Sequence, residues 1–278
     1  MSVGMLLRSE YLKTRKRFAF LVTMLFFGGV SLIGGIASWD ASRDAFAKNG
    51  KHTFLLPEAW PRILGDPAQM SVFFGAILLA LLISQEFPWR TARQNVIDGL
   101  SRNQWFVSKV LLLAGISLLF AVLALAVPFA FALPATPEGA QLIRLVDVRA
   151  LGGYALALFG FASIAFMLSM LIRNPGPVLG VFLLWFAFIE RIADMLITKF
   201  SDGKLAEVAE YFPAMNFLRM VDSKTWYQAA RQAEIAVATK RGQPLPELPN
   251  VELVIALGFT YIVVFFGISY VTYMKRDL

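Results

Sequence analysis

Long apolar runs alternate with short polar segments along the chain. The first, Phe18 to Ser38, is about 21 residues, the length needed to cross a hydrocarbon core about 30 Å thick. Five more runs follow at roughly 68–86, 108–133, 150–172, 177–198 and 251–273. The pattern predicts an all-α polytopic membrane protein with six transmembrane helices in a single domain spanning residues 1–278. Ahead of the first run, residues 1–17 read as an amphipathic interfacial helix. Val3, Leu7 and Tyr11 recur every four residues beside Leu6, and Arg8, Lys13, Arg15, Lys16 and Arg17 supply the charge. A signal peptide begins in the same way, but its apolar core is shorter, so an uncleaved first span is expected. Within that span the Gly28-Gly29 and Gly34-Gly35 pairs, with Ser31, would let another helix approach closely.

The polar segments carry the next layer of information. Residues 39–67 have nearly balanced charges, and Pro57, Pro61, Pro67 and Trp60 suggest an external, interface-hugging loop rather than a long helix. Between the second and third runs lies Glu86 to Lys109, an amphipathic stretch that must leave the bilayer, run along its surface over about residues 87–103, and go back in. Pro128 predicts a kink late in the third run. The turn Arg173-Asn174-Pro175-Gly176-Pro177 stops one helix and starts the next. Residues 199–250 form the longest polar segment. They are expected to be external, with helices near 203–212 and 222–240 and a proline-rich loop at 243–249.

Charge settles the expected orientation. The net charge is +7. Residues 1–17, 86–109, Arg173 and the C-terminal Lys275-Arg276-Asp277-Leu278 together hold more positive charge than the whole chain, so the remaining segments are slightly acidic. By the positive-inside rule these segments face the cytoplasm, and both termini with them, which implies a multi-pass protein of the inner (plasma) membrane in contact with its lipids. The basic excess is a topology signal and does not suggest nucleic-acid binding. With 58% hydrophobic residues, 16% charged residues and mean hydropathy +0.63, a soluble domain would expose large apolar patches. The absence of cysteine removes disulfide and thiolate chemistry.

Candidate chemistry is sparse. A lone histidine, His52, does not make a metal site. Gly50-Lys51 lacks the earlier glycine of a phosphate-binding loop, so no nucleotide or cofactor is expected on this chain, and no hydrolase or metalloprotease motif is present. The chain is therefore not expected to be an enzyme. The fifth run contains Glu190, Arg191 and Asp194, at spacings that let Glu190 and Asp194 share a face and Arg191 pair with Asp194. They could line an outer cavity, or mark a helix that surfaces early with Arg191 reaching to the interface. Trp60, Trp89, Trp105, Tyr154, Trp226 and Tyr273 fall near predicted span ends, as interface-belt residues do.

Several of these residues together carry a family resemblance. The basic stretch Glu10-Tyr11-Leu12-Lys13-Thr14-Arg15-Lys16-Arg17 runs into a first span. A second span ends at Glu86, and Thr91, Gly99, Ser101-Arg102 and Lys109 lead into the third. A short Arg173-Asn174 turn precedes the fifth. The layout resembles type-2 permease subunits of ATP-binding-cassette exporters, in their short six-span bacterial form. Pro88-Trp89-Arg90-Thr91 departs from the Gly-Thr common after the glutamate in that family. The resemblance implies that Arg8, Lys13, Arg15, Lys16 and Arg17 belong to an elbow helix. It implies a coupling helix over residues 87–103, with Glu86, Arg90, Thr91, Arg93, Asp98, Gly99, Ser101 and Arg102 at or near the contact with a separate ATPase. Residues 199–250 would cap the exit. It further implies a dimer of permease subunits, either two copies or this chain with a sister chain, working with two ATPase subunits that hold the ATP and Mg. A stand-alone secondary transporter or channel, and a membrane-embedded scaffold, are the rival classes.

Overall fold

The computed structural model of the chain describes residues 3–50, 52–201, 205, 208, 211–241 and 250–276. Every regular element among them is helical. In order these are α1 (Val3–Thr14), α2 (Phe18–Asn49), α3 (Trp60–Ile63), α4 (Asp66–Ser84), α5 (Thr91–Ile97), α6 (Arg102–Ala132), a 3-10 turn (Leu133–Ala135) and α7 (Leu145–Ile172). Then come α8 (Pro175–Leu184), a π-helical turn (Trp185–Ile189), α9 (Glu190–Phe200), α10 (Pro213–Val221), α11 (Ser223–Trp226), α12 (Gln228–Arg241) and α13 (Val251–Lys275). Among the described residues, five helices are long and apolar enough to cross a membrane: Phe18–Asn49, Trp60–Ser84, Arg102–Ala135, Leu145–Ile172 and Val251–Lys275.

Tethers between helix ends fix an up-and-down arrangement. Arg17, just before α2, donates to the Leu82 carbonyl near the end of α4 at 2.7 Å. Ser169, near the end of α7, reaches the Ala80 carbonyl at 3.5 Å. Arg102, opening α6, donates to Met274 O at the end of α13 (3.0 Å), and Arg276 donates to Leu171 O at the end of α7 (2.6 Å). The starts of α2 and α6 and the ends of α4, α7 and α13 therefore share one end of the bundle. Both arginines satisfy carbonyls left over at helix C-termini, where cations are favoured. Because α7 and α13 both run toward this end, the chain between them must climb back, and α8 begins that climb against α4 and α7.

Helix α7 is the centre. It packs against α4, α6, α8, α10, α11 and α13, and 72% of its apolar window is buried, against 17% for α2 and for α13. The peripheral helices present apolar side chains outward, Leu25, Ile33 and Val263 among them, as a lipid-facing surface does. Glycines on α7 admit the neighbours. A Cβ on Gly160 would lie 2.3 Å from the Phe217 ring of α10, and one on Gly153 would lie 2.1 Å from the Trp226 ring.

The structure corrects several sequence expectations. Helix α2 does not stop at Ser38; it continues to Asn49 through the alanine-rich stretch 41–47 and is closed by Gly50 at φ 67°, whose N–H bonds Phe46 O. Charges read as a loop are thus the solvated last turns of a helix about 48 Å long, longer than the hydrocarbon core. The chain then folds back, and His52 stacks on Phe46 with ring centroids 4.3 Å apart. The fifth apolar run is not one regular helix but is broken by the π turn. Helix α10 was not expected, and the predicted 222–240 helix is split into α11 and α12. The predicted helix at 203–212 falls largely outside the described residues. The 243–249 loop, Met1, Ser2, Lys51, Asp277 and Leu278 also lie outside them. Four aromatics assigned to the interface belt, Trp60, Trp105, Tyr154 and Tyr273, are buried. Trp105 and Tyr273 stack at 4.5 Å, and the Tyr154 hydroxyl meets Ser71 Oγ at 2.6 Å, so aromatic bulk fills the protein interior there and does not face the lipid headgroups.

Candidate functional site

The residues that hold the tethered end together form a buried ionic junction. Helix α1 turns Leu6, Glu10 and Thr14 inward, one turn apart. Val3, Leu7 and Tyr11 face outward, on the side an interfacial helix offers to lipid. Glu10 therefore enters the protein. Its two carboxylate oxygens each accept from Lys109 Nζ at 2.8 Å. The same ammonium donates to Glu86 Oε1 at 2.6 Å. Lys109, Glu86 and Glu10 are 0%, 2% and 4% exposed.

Isolated buried charges of this kind would be prohibitive, and the surroundings supply partners. Glu86 also accepts from Trp105 Nε1 at 3.2 Å and pairs with Arg17 at 3.6 Å. Glu10 accepts from Ser108 Oγ at 3.3 Å and lies 3.7 Å from Lys13 Nζ. Lys109 uses all three of its donors, and its charge sits 5.2 Å from the Trp105 ring centroid. Two carboxylates face two close cations, with a third at the rim. Four elements meet here: α1 through Glu10, the end of α4 through Glu86, the approach to α2 through Arg17, and the start of α6 through Lys109. Lys13 extends the network to a fifth, donating to Asn95 Oδ1 of α5 at 3.2 Å.

Helix α5 stands on this junction. The Glu86 carbonyl accepts both Ala92 N (3.1 Å) and Thr91 Oγ1 (3.2 Å). Arg90, at φ 56°, turns the chain into the helix, and Gly99, at φ 102°, turns it out. Ser101 then caps α6 with a reciprocal Gln104 capping box. The predicted 87–103 helix is thus shortened to Thr91–Ile97. Gly99 breaks the helical path, and Arg102 already belongs to α6.

The predicted contact residues separate into two groups. Arg90, Arg93, Asp98, Gly99 and Ser101 are exposed, together with Trp89 (61%) and Ile97 (67%). Thr91 is half-buried, Glu86 is inside the junction, and Arg102 is half-buried and committed to the α13 carbonyls. A cavity of about 280 Å³ opens between Phe87, Arg90, Ala92 and Arg93, a notch with two cationic sides. Of the elbow residues, Arg8, Arg15 and Lys16 are exposed, while Lys13 and Arg17 reach into the network.

Glu190, Arg191 and Asp194 do not converge. Arg191 and Asp194 are exposed, and among the described residues they form no ion pair. Glu190 is buried and acts as a remote helix cap. Its carboxylate accepts Ala214 N at 2.8 Å, Met215 N at 2.9 Å and Trp185 Nε1 at 2.6 Å. Pro213 at the first position of α10 has no N–H, so Glu190 takes the next two unpaired donors of that helix. In the first turn of α7, at the end of the bundle opposite the junction, Asp147 accepts from Arg144 (3.1 Å) and from the Tyr227 hydroxyl (3.0 Å). The Arg144 guanidinium is held above its ordinary pKa by the hydrogen bond to Asp147. Burial, reinforced by the Asp147 charge, pushes the Tyr227 phenol up. Among the described residues no group of acidic, histidine or cysteine side chains could hold a metal.

The fold and the junction define a helical membrane protein with a small exposed helix bolted to one end of its bundle. Residues 62–278 match the family model described as Protein of unknown function (DUF2705), and the chain belongs to that family. Glu86 and Lys109 lie within the matched region, Glu10 and Arg17 before it. A search of curated proteins finds no match.

Proposed function

We propose that this chain is the membrane-spanning permease subunit of an ATP-driven exporter, with α5 as the element on which a separate ATPase acts. In this reading the climb from Pro175 to Phe200 is a sixth span, so that both termini and α5 lie on the cytoplasmic side of the plasma membrane. Helix α1 is the interfacial elbow. The carrying observation is the mounting of α5: a seven-residue exposed helix hydrogen-bonded to Glu86, whose side chain is locked to α1, α6 and the start of α2. A force applied to so short a helix cannot be absorbed by bending along its length. It passes into Glu86 and Lys109 and tilts the long helices as rigid bodies. The cationic notch beside α5, with Ile97 and Trp89 nearby, suits an acidic-rimmed apolar cleft on the partner.

ATP and Mg belong to that partner, and the working unit is two ATPases with two permease chains, either identical or sisters. Helices α10 to α12 close the opposite end of the path. The reading is tested by co-purifying the chain with ATPase subunits from its own host and measuring ATP hydrolysis in lipid with and without it. Stimulation that is lost in Ile97→Asp and in Asp98→Lys, with membrane insertion unchanged, is the expected result. Substrate movement by this chain alone in liposomes, with no ATPase bound, would instead favour a stand-alone transporter or channel.

A further inference from the structure

At the end of the bundle opposite the junction, a gap opens between the first turns of α7 and α13 and the helices α11 and α12. The gap is a cavity of about 1000 Å³. Its walls are apolar, with Leu156 and Phe159 on α7 facing Ile255, Phe259 and Ile262 on α13. Gly152 lies in the wall with open space where a Cβ would be. Trp226 closes one side by seating its ring on Gly153. The lining residues cover 146–159 of α7 and 251–262 of α13. That is roughly 16–20 Å of helix, comparable with the ~15 Å half-thickness of a hydrocarbon core.

The polar lining gathers at the helix-start end of this gap. Arg149 and Arg231 supply two cations there and Glu252 one anion. Arg231 is held rigid, with Nε on Lys224 O and Nη2 on Thr225 O, both at 2.6 Å. Arg149 and Glu252 are exposed and take part in no ion pair among the described residues.

We propose that this cavity is a binding site for a single aminophospholipid, phosphatidylethanolamine, from the adjoining leaflet. Its acyl chains fill the gap between α7 and α13. Its phosphate sits against Arg149 and Arg231, and its ammonium against Glu252. Two cations and one anion complement a headgroup that carries both a phosphate and a primary amine. An anionic headgroup without an amine would leave Glu252 facing like charge. The apolar depth matches acyl chains and exceeds the need of a water-soluble ligand. The site stands independently of the exporter reading, since lipid retention by the chain requires no ATPase.

The test is native mass spectrometry of the detergent-purified full chain, titrated in turn with phosphatidylethanolamine, phosphatidylglycerol and phosphatidylcholine. One phosphatidylethanolamine is expected to be retained per chain, in preference to the other two. Gly152→Leu fills the gap where nothing is displaced, and Arg149→Ala removes a charge-assisted contact. Each should weaken retention about tenfold or more while leaving the melting temperature in lipid-free detergent unchanged. Glu252→Gln should keep binding but lose the preference over phosphatidylglycerol. Equal retention of all three lipids by the unaltered chain would mean annular lipid only and would overturn the proposal. Retention unaffected by Gly152→Leu would show that the cavity holds something else, including another part of this chain, and would overturn it equally.

Discussion

Replacing Lys109 with methionine preserves the length of the side chain and deletes its charge, leaving Glu10 and Glu86 buried with their strongest donor gone. Breaking a buried ion pair from one side costs about 3–5 kcal/mol. Here the lower end applies, because each carboxylate keeps two weaker partners: Trp105 and Arg17 for Glu86, Ser108 and Lys13 for Glu10. A loss of about 3 kcal/mol raises the population of molecules with α1 undocked roughly a hundredfold. The chain contains no cysteine, so a single Thr14→Cys on the buried face of α1 gives a unique reporter at little steric cost. Maleimide should label that cysteine slowly in the parent and about a hundredfold faster when Lys109 is methionine. Adding Glu10→Leu removes one stranded charge and should recover part of the loss, giving a Glu10–Lys109 coupling of about 1–3 kcal/mol in a double-mutant cycle. Labelling rates within twofold of each other in parent and Lys109→Met would refute the junction as the clamp on α1.

Three further outcomes concern residues outside the junction. Glu190→Gln places an amide N–H₂ against donors that now share one carboxylate. It should lower stability by about 1–3 kcal/mol, read as a drop in melting temperature and as faster hydrogen exchange at Ala214 and Met215. Gly160→Ala sets a Cβ within 2.3 Å of the Phe217 ring and should cost about 1–3 kcal/mol by overpacking; Phe217→Leu in the same chain should relieve part of this, measured by thermal unfolding in detergent. The Tyr227 phenol is raised in the folded protein, so the folded chain holds a proton that the unfolded chain loses near pH 10. Its contribution is fully present below about pH 10 and falls as pH rises further. Stability measured between pH 8 and 11 should therefore decline at the alkaline end in the parent and lose that component in Tyr227→Phe.

Apolar run length and charge placement made the helical class and the positions of the five long helices legible, because a span is a local, composition-level signal. The polar segment between the second and third runs was visible for the same reason, but its helix was expected over 87–103 and spans only Thr91–Ile97. The ionic junction was not legible. Glu86 and Lys109 look like charges marking the ends of apolar runs, and Glu10 looks like a stray anion in a basic stretch. What joins them is tertiary contact across separations of 99 residues for Glu10 to Lys109 and 23 for Glu86 to Lys109, and no local period encodes it. The face of α1 chosen for burial was hidden too, since its more apolar face is the one left outside. Glu190 stands out in the sequence as a carboxylate in an apolar run, yet its partner is a helix start 24 residues on. Phe212-Pro213 gave the only local sign of that helix, a proline suited to a first helical position. The continuation of α2 was missed because alternating charges are equally at home in a loop and on a solvated helix.

The central claim is that α5 is handed to a nucleotide-hydrolysing partner on the cytoplasmic side. It is tested most directly by a single cysteine at Ile97, on the exposed face of α5, carrying a photo-activated crosslinker in membranes of the native host. The account predicts a crosslinked product in which the second chain is an ATPase with a phosphate-binding loop, and no such product from a cysteine at the exposed Gln232 of α12. Crosslinks from Ile97 only to lipid, or to the same partner that Gln232 captures, would contradict it.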